Sequence, residues 1–394
     1  MTSRVKEVKF VVGANYGDEG KGVMSNYFTR IAKQRGMSVL NVLYNGGCQR
    51  GHTAEGHVFH CFGSGAIRGA DTYYTSSFMV NPIAWYFEYQ ALGQKPKLFI
   101  NPYARVTTPY DVAINQARER QRGINRHGSC GLGIFETRHR TEEMSDDALY
   151  AKDLLDEFVL FEKLTKIKKE YFPYRCKELE VVPEINEFEF DNFISCVHQM
   201  MTCGSVKIVG DNILLEYESV IFEGGQGLLL SETNKDAYPH LTPSITGFDG
   251  AYALLHYLYE QSNANFEMCL MTRSYITRHG AGPLYLECKK EQIGENIIDS
   301  TNMPNEWQGS LRFAPCTYTW YNRIVYDKTY LFIDDKERIS KTIGITCLDQ
   351  TNGCIAMGND DGEIGYVPIL PLFKKTASKI YTFAGLDVLP TIYM

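Results

Sequence analysis

The sequence lacks any long apolar run. No stretch of its 394 residues approaches the ~20 consecutive apolar residues that a transmembrane helix requires. The opening Met1-Thr2-Ser3-Arg4 does not begin a secretory signal peptide either. These absences predict a cytoplasmic protein with no membrane partner. Internal repeats, low-complexity tracts and Pro/Ser-rich linkers are also missing, which predicts a single domain over residues 1–394.

The cysteines lack the spacing of a metal site. The chain has 11 cysteines but no CxxC pair, and this odd number of scattered thiols predicts reduced, mostly buried side chains. An excess of positive charge is missing as well, because the net charge is −7 at pH 7. A broad nucleic-acid-binding surface is therefore excluded, and any phosphate is expected to bind in a local pocket.

The most informative stretch is the glycine-rich loop at residues 13–22, Gly-Ala-Asn-Tyr-Gly-Asp-Glu-Gly-Lys-Gly. It follows an apolar run at 10–12 and precedes a helical pattern at 23–31, so the sequence predicts a strand, a phosphate-binding turn and a helix. The usual spelling G-x-x-x-x-G-K-[ST] is not met, because Asn15 occupies the first glycine position and Gly22 the Ser/Thr position.

Two acidic residues lie inside this loop. Asp18 and Glu19 would repel a bound phosphate, so their presence requires a chemical reason. Either a divalent cation bridges a carboxylate and the phosphate, or a carboxylate takes a proton from the substrate. The loop alone leaves both explanations open, together with the simpler one of a glycine turn shaped for packing.

Strand-like and helix-like segments alternate along the chain. This alternation predicts an α/β fold with a doubly wound, mostly parallel central sheet, similar to that of P-loop NTPases, and an inserted helical region at about 144–201. Functional groups of such sheets gather at the carboxyl ends of the strands. The clearest strand patterns lie at 10–12, 38–44, 98–100, 219–222 and 268–271, and the clearest helical pattern lies at 109–122.

Other polar loops follow later strands. The loop at 45–53 contains His52, a loop histidine suited to general-acid chemistry, for which an incidental surface histidine is the alternative. The loop at 128–133 and the arginines after it can hold a second anion. Asp349 ends a late strand, where a carboxylate can accept from both N1–H and the 2-amino group of guanine, or can simply cap a turn.

Taken together, the motifs resemble those of the adenylosuccinate synthetase family. The resemblance covers about residues 10–349, and the combination of the first two motifs is specific, whereas the glycine loops alone are not. The family's order is met by Gly-Asp-Glu-Gly-Lys-Gly at 17–22, Gly-His-Thr at 51–53, Glu-Gly-Gly-Gln-Gly at 223–227, Tyr-Pro at 238–239, Thr-Arg-His-Gly-Ala-Gly-Pro at 277–283 and Thr-Cys-Leu-Asp at 346–349.

The resemblance implies a homodimeric ligase that uses GTP (or ATP) and Mg²⁺ to join L-aspartate to a purine nucleotide, IMP or dIMP. In that family the acid matching Asp18 removes the N1 proton while the 6-oxygen attacks the γ-phosphate. The histidine matching His52 stabilises charge on the phosphoryl oxygens, and the amine of aspartate then displaces the 6-phosphate. Asp18 and the Gly51 carbonyl are the implied Mg²⁺ ligands, which gives the loop carboxylate its reason.

Further site residues are implied by the same resemblance. The nucleoside triphosphate is expected at Gly17, Glu19, Gly20, Lys21, Gly22, Gly51, Thr53 and Asp349. The purine monophosphate is expected at Asp18, Gln49, Ser129, Cys130, Arg140, Gln226 and Thr242, with Arg140 a candidate for reaching into the partner's site. Aspartate is expected at Gly309, Ser310 and Arg312.

Several positions depart from the family's pattern. Gln49 stands where the family has asparagine, Cys130 where it has a threonine that contacts the substrate phosphate, and Cys347 where it has a lysine near guanine. The arginine-rich loop that holds aspartate is absent in its usual form, and Arg312 is the only obvious anion partner in its place. These departures suggest an atypical member whose substrate need not be IMP.

Three other functions are therefore considered. A phage relative makes 2-aminoadenylosuccinate from dGMP and tends to carry serine in place of the catalytic aspartate, so the retention of Asp18 favours IMP or dIMP over GMP or dGMP. A nucleotide sensor that has lost turnover would keep the pocket. A GTPase or kinase-like phosphotransferase would use the same loops without aspartate.

Overall fold

The computed structural model describes residues 3–185, 187–299, 306–326, 335–385 and 389–394. The helices within these ranges are α1 (Lys21–Gln34), α2 (Pro82–Ala91), α3 (Pro109–Arg122), α4 (Ile134–Glu143), α5 (Glu157–Lys166), α6 (Phe172–Leu179), α7 (Glu187–Thr202), α8 (Tyr252–Gln261), α9 (Lys290–Ile293), α10 (Tyr318–Tyr326) and α11 (Ile369–Phe373). The strands are β1 (Glu7–Gly13), β2 (Val39–Leu43), β3 (Gly46–Gly47), β4 (His52–Ala54), β5 (His57–Phe59), β6 (Asp71–Tyr74), β7 (Phe78–Met79), β8 (Leu98–Ile100), β9 (Val206–Ile208), β10 (Ser219–Gly227), β11 (Asn265–Arg273), β12 (Ile276–Arg278), β13 (Arg312–Ala314), β14 (Ile339–Thr346), β15 (Cys354–Gly358), β16 (Ile364–Pro368), β17 (Lys379–Thr382) and β18 (Thr391–Tyr393).

A ten-stranded sheet forms the centre of the described chain. Its strand order is β18-β17-β14-β11-β1-β10-β2-β6-β8-β9. All of its neighbouring strands run parallel except β17 and β18, which pair antiparallel. The predicted α/β fold with a mostly parallel sheet is confirmed.

Strand β1 occupies the middle of this sheet and is buried on both faces. Phe10 belongs to the apolar cluster that includes Leu255 of α8, whereas Val11 packs in the cluster of Met24 and Phe28 of α1. Burying an apolar side chain of this size contributes about 1.5–3 kcal/mol. Because helices pack on both faces of β1, the end of this strand is held firmly where the next loop begins.

The predicted helical insertion is present between residues 145 and 202. It contains α5, α6, α7 and a π-helix at Ile167–Tyr171. Leu160 of α5 and Phe193 of α7 pack in one cluster with Trp85 of α2 and Leu98 of β8, so the insertion shares a core with this edge of the sheet. The single-domain organisation of residues 1–394 stays a prediction. Within the described ranges, no helix is both long and apolar enough to cross a membrane.

One strand end differs from the sequence prediction. Strand β14 ends at Thr346 because Cys347 has a left-handed backbone, with φ of 62°. Asp349 therefore lies in a 3-10 turn (Leu348–Thr351) beyond the strand.

The first turn of α1 packs tightly against β4. A Cβ at Gly22 would lie 2.9 Å from both the Cβ of His52 and the Oγ of Ser64, and 3.1 Å from the carbonyl oxygen of Thr53. Any side chain at this position would push the helix away from the strand. This close approach explains why glycine stands where nucleotide-binding loops usually have serine or threonine.

The substitution Gly22→Ser is expected to lower the free energy of unfolding by about 1–3 kcal/mol, because the added atoms overpack this contact. Gly93→Ala is the matched control, since a Cβ there meets no atom within 4 Å. Chemical denaturation of both variants measures the difference. Equal stability of Gly22→Ser and the wild type would contradict the close packing.

Candidate active site

The carboxylate of Glu19 occupies the inside of the loop that follows β1. Oε1 of Glu19 accepts hydrogen bonds from the backbone N–H groups of Asn15 and Gly17, both at 2.9 Å. Lys21 donates to the Gly17 carbonyl at 2.6 Å and lies 3.5 Å from Oε2 of Glu19. Both side chains are buried, and a Cβ at Gly13 would overlap the Glu19 carboxylate. Glu19 and Lys21, expected at the triphosphate, thus stabilise the loop from inside.

The N-terminus of α1 is open. Its N-cap residue, Gly20, has a left-handed φ of 81°, and no side chain caps the first turn or places an acid there. A Cβ at Gly20 would come within 2.7 Å of the Thr346 side chain, so β14 also closes on the loop. Uncapped N–H groups at a helix N-terminus, together with the helix dipole, favour an anion such as phosphate.

Asp18 has a histidine partner from a distant loop. Nδ1 of His279 lies 3.0 Å and 3.2 Å from the two carboxylate oxygens of Asp18, and the Asp18 carbonyl accepts from Nε of Arg273. Burial raises the pKa of Asp18, but His279, Arg273 and Lys21 outweigh it, so the net pKa is lowered. Burial lowers the pKa of His279, whereas Asp18 raises it above its ordinary value. The carboxylate of Asp18 is therefore ionised and able to accept a proton.

A buried cluster surrounds His52. Oε1 of Glu223 accepts from the Ser64 hydroxyl at 2.5 Å, lies 2.6 Å from Nδ1 of His52 and forms an ion pair with Arg50. Arg50 and Glu223 have no exposed side-chain surface, and His52 is only 5% exposed. The interpretation of His52 as an open loop histidine is wrong, because β4 places it against α1 and Glu223.

This cluster keeps the imidazole of His52 neutral. Burial and the charge of Arg50 lower the pKa of His52 to about 3. Burial raises the pKa of Glu223, but Arg50 and His52 bring it down to about 2. The single proton of the neutral ring lies either on Nδ1, toward Glu223, or on Nε2, which is 3.3 Å from the Gly225 carbonyl. In the second state, Nε2–H is a donor suited to a phosphoryl oxygen.

Gln49 provides a buried amide without a partner. Neither Oε1 nor Nε2 of Gln49 forms a hydrogen bond within the described residues, although both atoms are buried. Gln226 lies nearby, since a Cβ at Gly46 would be 2.7 Å from Nε2 of Gln49 and 3.0 Å from the Gln226 amide. Asn45 donates to Gln226 at 3.2 Å. Leaving a buried amide unpaired costs about 1–3 kcal/mol, so this position is suited to polar atoms of a ligand.

Ser129 and Cys130 lie beside the loop that carries His279. Ser129 donates to Asn115 at 3.0 Å and accepts from the Gly131 amide at 3.1 Å. Burial raises the pKa of Cys130 to about 11, which keeps it a neutral thiol. A Cβ at Gly128 would lie 2.8 Å from the Ala281 amide, so the two loops touch through their backbones.

Arg140 does not lie where the resemblance implied. It has no exposed side-chain surface. Its guanidinium donates to both carboxylate oxygens of Asp111, at 2.8 Å and 3.0 Å, and to the Val106 carbonyl at 2.7 Å. The expectation that Arg140 reaches into a partner's site is wrong, because Asp111 of α3 holds it inside its own chain. Arg138, the other arginine of this segment, pairs with Glu142 and Glu232.

Arg312 is also already paired. Its Nε donates to Glu287 at 2.9 Å, and its Nη1 donates to the carbonyls of Gly280 at 3.0 Å and Gly282 at 2.8 Å. The expected open guanidinium for an aspartate carboxylate is therefore not found. Gly309 and Ser310, the other residues expected at aspartate, are exposed near the start of β13.

The remaining predicted site residues are Gly51, Thr53, Thr242 and Asp349. Gly51 is exposed just before β4, and Thr53 lies on β4 against Gly22. Thr242 is partly exposed in the turn after β10, where its amide donates to the Leu230 carbonyl at 2.8 Å. Asp349 is exposed beyond β14. Residues 20–22 thus form the start of α1, Thr53 contacts Gly22 and Gln226 lies beside Gly17, whereas Arg140 is held by Asp111.

Arg50, Glu223 and His279 are site residues that the sequence analysis did not single out. Each belongs to a glycine-rich segment whose neighbours were recognised. The available signal was their position at the ends of strands, where charged side chains in glycine-rich turns face a common edge. Sequence alone did not show that Glu223 and His279 would face His52 and Asp18.

The variant His52→Asn is expected to flatten the pH dependence of stability. The ordinary pKa of the histidine is 6.5 and the folded pKa about 3, so between these values the unfolded chain binds a proton that the folded chain excludes. The free energy of unfolding of the wild type therefore falls with falling pH in this window, by up to about 1.4 kcal/mol per pH unit more than that of the variant. Denaturation curves from pH 7 to 4 measure this difference, and parallel curves would contradict it.

The chain is similar in sequence to known adenylosuccinate synthetases. The family model described as adenylosuccinate synthetase matches residues 10–306. An adenylosuccinate synthetase of Photobacterium profundum is 27% identical over 302 residues, which cover 73% of this chain and 66% of that protein. The chain thus spans about two thirds of the length of this curated relative.

Two solved structures have a similar fold. The fully ligated adenylosuccinate synthetase from Plasmodium falciparum has a TM-score of 0.66 at 17% identity, covering 98% of this chain and 87% of that chain. A succinoaminodeoxyadenylate synthetase of cyanophage S-2L, bound to dGMP and dATP as an energy donor, has a TM-score of 0.64 at 16% identity, covering 99% and 95%. Since the family model matches more than half of the 394 residues, this chain belongs to the adenylosuccinate synthetase family.

Proposed function

We propose that this protein is a ligase that uses a nucleoside triphosphate, GTP or ATP, to join L-aspartate to a 6-oxopurine nucleotide, with IMP or dIMP as the preferred substrate. The product would be adenylosuccinate or its deoxy form. The observation that carries the proposal is the ionised carboxylate of Asp18, which lies directly before the uncapped N-terminus of α1. Family membership supports the same activity.

In this proposal the chain's residues act on a purine and a phosphate at once. Asp18 accepts the N1 proton of the purine, which makes the 6-oxygen nucleophilic toward the γ-phosphate of the triphosphate. The 6-oxygen forms a bond to the γ-phosphorus while the bond from this phosphorus to the β–γ bridging oxygen breaks, which gives a nucleoside diphosphate and a 6-phosphoryl purine. The amine of aspartate then attacks carbon 6, and inorganic phosphate leaves. The first-turn amides of α1 and Nε2–H of His52 hold the phosphoryl oxygens.

The oxygen donors of the site suit Mg²⁺. Asp18 offers a carboxylate and Gly51 an exposed backbone carbonyl, whereas the described residues contain no cluster of three or more His, Cys, Asp or Glu side chains. Mg²⁺ commonly binds one or two carboxylates together with substrate phosphates, which fits this sparse donor set. Asp18 and Gly51 are the residues that would hold it, and the ion would neutralise phosphate charge when bound.

The places of the other substrates are proposed from one unpaired amide and from the resemblance to the family. Gln49 has a buried amide with open donor and acceptor atoms, which supports a place beside the purine nucleotide together with Gln226. Ser129 and Cys130 can contact its phosphate from the neighbouring loop. Asp349 is the candidate for the base of the triphosphate, and Gly309 and Ser310 for aspartate. A homodimer is proposed from family membership alone.

GMP or dGMP is the second candidate substrate. The cyanophage protein of similar fold is bound to dGMP, and the guanine ring has the same 6-oxygen and N1 proton as hypoxanthine. Asp18 can therefore act on either ring. The retained carboxylate favours IMP or dIMP, because the related phage enzymes tend to have serine there.

The wild-type protein is expected to form a succinylated nucleotide when it is mixed with GTP or ATP, Mg²⁺, aspartate and IMP or dIMP. Mass spectrometry of reactions with IMP, dIMP, GMP and dGMP in turn identifies the product and the substrate. Asp18→Ala is expected to lower kcat by on the order of 10²–10⁴-fold, since it removes the base. Asp361→Asn, at an exposed position, is the control.

Other outcomes of this assay would contradict the proposal. Phosphate release that does not require aspartate would indicate a phosphotransferase or GTPase. Binding of nucleotides without any product would indicate a sensor that has lost turnover. Full activity of Asp18→Ala would show that another group is the base.

The variant Gln49→Leu is expected to raise the KM of the purine monophosphate by about 10–100-fold, the effect of losing one or two hydrogen bonds in a buried site. The KM of the triphosphate should change by less than about threefold, because the amide faces Gly46 and Gln226 rather than α1. An increase confined to the triphosphate would place Gln49 in the other subsite.

A further inference from the structure

We propose that His279 is the positioning residue for Asp18: its Nδ1–H bridges both carboxylate oxygens and fixes the plane in which Asp18 meets the purine. This inference rests on the proposed function, which gives Asp18 its role as the base. It extends that function to a residue outside the glycine loop, contributed by the segment that follows β12. No ring nitrogen of His279 needs to touch a substrate for this role.

Asp18 requires a contact from outside its loop to hold its carboxylate, since within the described residues the hydrogen bonds of the loop involve Glu19 and Lys21 instead. It lies between Gly17, with φ of 114°, and Gly20, with φ of 81°. Glycine adopts both signs of φ readily, so the loop alone does not fix the direction of the Asp18 side chain. Glu19, the neighbouring acid, is fixed by loop amides, whereas the carboxylate of Asp18 has its hydrogen bonds to His279.

The bridging geometry is suited to orientation. The two distances from Nδ1, 3.0 Å and 3.2 Å, are nearly equal, so rotating the carboxylate in either direction would lengthen one of them. The imidazole and the carboxylate are only 18% and 16% exposed, which limits competition from water. A base held in one plane loses little conformational freedom when the substrate binds.

Two arginines hold the backbone at Asp18 and beside His279. Arg273 donates to the backbone carbonyl of Asp18. Two 3.1 Å hydrogen bonds to Asp299 fix the guanidinium of Arg273 in turn. Arg312 donates to the carbonyls of Gly280 and Gly282, next to His279. The arginine first expected to bind aspartate thus supports the histidine loop. Movement of either partner's backbone would break these partly buried hydrogen bonds.

The kinetic test compares His279→Ala with His279→Asn. His279→Ala is expected to lower kcat by on the order of 10–100-fold while the KM values of both nucleotides change by less than about threefold, because a misplaced base slows the reaction without removing a binding contact. The amide nitrogen of asparagine can occupy the position of Nδ1, so His279→Asn should recover most of the lost kcat. A wild-type kcat in His279→Ala would overturn the proposal.

The controls separate positioning from folding. His198→Ala removes a histidine whose side chain is 64% exposed on α7, and its kcat should equal that of the wild type. Circular dichroism and thermal unfolding show whether His279→Ala is folded. If His279→Asn is folded but recovers nothing over His279→Ala, the hydrogen bond from Nδ1 is not the relevant contact and the proposal fails.

A structural experiment distinguishes this proposal from the proposed function, because it does not require turnover. Crystal structures of the wild type and of His279→Ala, each soaked with IMP, show the direction of the Asp18 carboxylate. One direction is expected in the wild type and a rotated or disordered carboxylate in His279→Ala, and an unchanged carboxylate would overturn positioning, even in a protein that is active. A wild type that forms no succinylated product but shows this difference would refute the ligase and keep the role of His279.

Discussion

The candidate site depends on Glu19, the acid that does not face the substrate. Its carboxylate accepts hydrogen bonds from the backbone N–H groups of Asn15 and Gly17, both at 2.9 Å. These two donors are therefore satisfied within the loop and need no acceptor from outside it. The ammonium group of Lys21, 3.5 Å from Oε2 of Glu19, balances the negative charge of this carboxylate. With the loop filled in this way, the carboxylate of its neighbour Asp18 lies outside the turn, against His279. The two consecutive carboxylates thus have different roles because only one of them fits within the loop.

The same principle applies to the arginines around the site. Arg50 pairs with Glu223, Arg140 with Asp111, and Arg312 with Glu287. A buried guanidinium without a partner would be strongly destabilising, so Arg50 and Arg140 are neutralised within the protein. Arg312, which is partly exposed, is held by Glu287 and by two loop carbonyls. In the proposed function, positive charge for phosphate then comes mainly from the backbone amides at the start of α1, whose direction is fixed by the fold.

The sequence predicted the backbone better than the side-chain pairs. The strand, glycine turn and helix from β1 to α1 follow from a short apolar run, glycines and a helical pattern that are local in sequence, as do the strands at 98–100 and 268–271. The roles of Arg140 and Arg312 could not be read in this way. Their partners lie 29 and 25 residues away, and Arg50 meets Glu223 across 173 residues. Which arginine is paired depends on how distant elements pack.

His52 illustrates the same limit. Its glycine neighbours are typical of an exposed loop, yet Gly22 removes the side chain that would have kept α1 away, and the histidine becomes buried. Asp18, in contrast, was recognisable as a reactive group because an acid among phosphate-binding amides conflicts with local electrostatics. The electrostatic conflict at Asp18 could be recognised from neighbouring residues in the sequence, whereas the burial of His52 depends on packing between distant elements.

The central place of β1 also has a consequence for biosynthesis. A long stretch of chain separates β1 from its hydrogen-bonded neighbours β10 and β11, since Phe10 aligns with Phe222 and Met268. Both edges of β1 therefore stay unpaired during synthesis until β10 and β11 have been translated, and the contact beside Thr346 forms later still. Such non-local pairing makes folding slow and leaves apolar strand edges open to aggregation in the meantime.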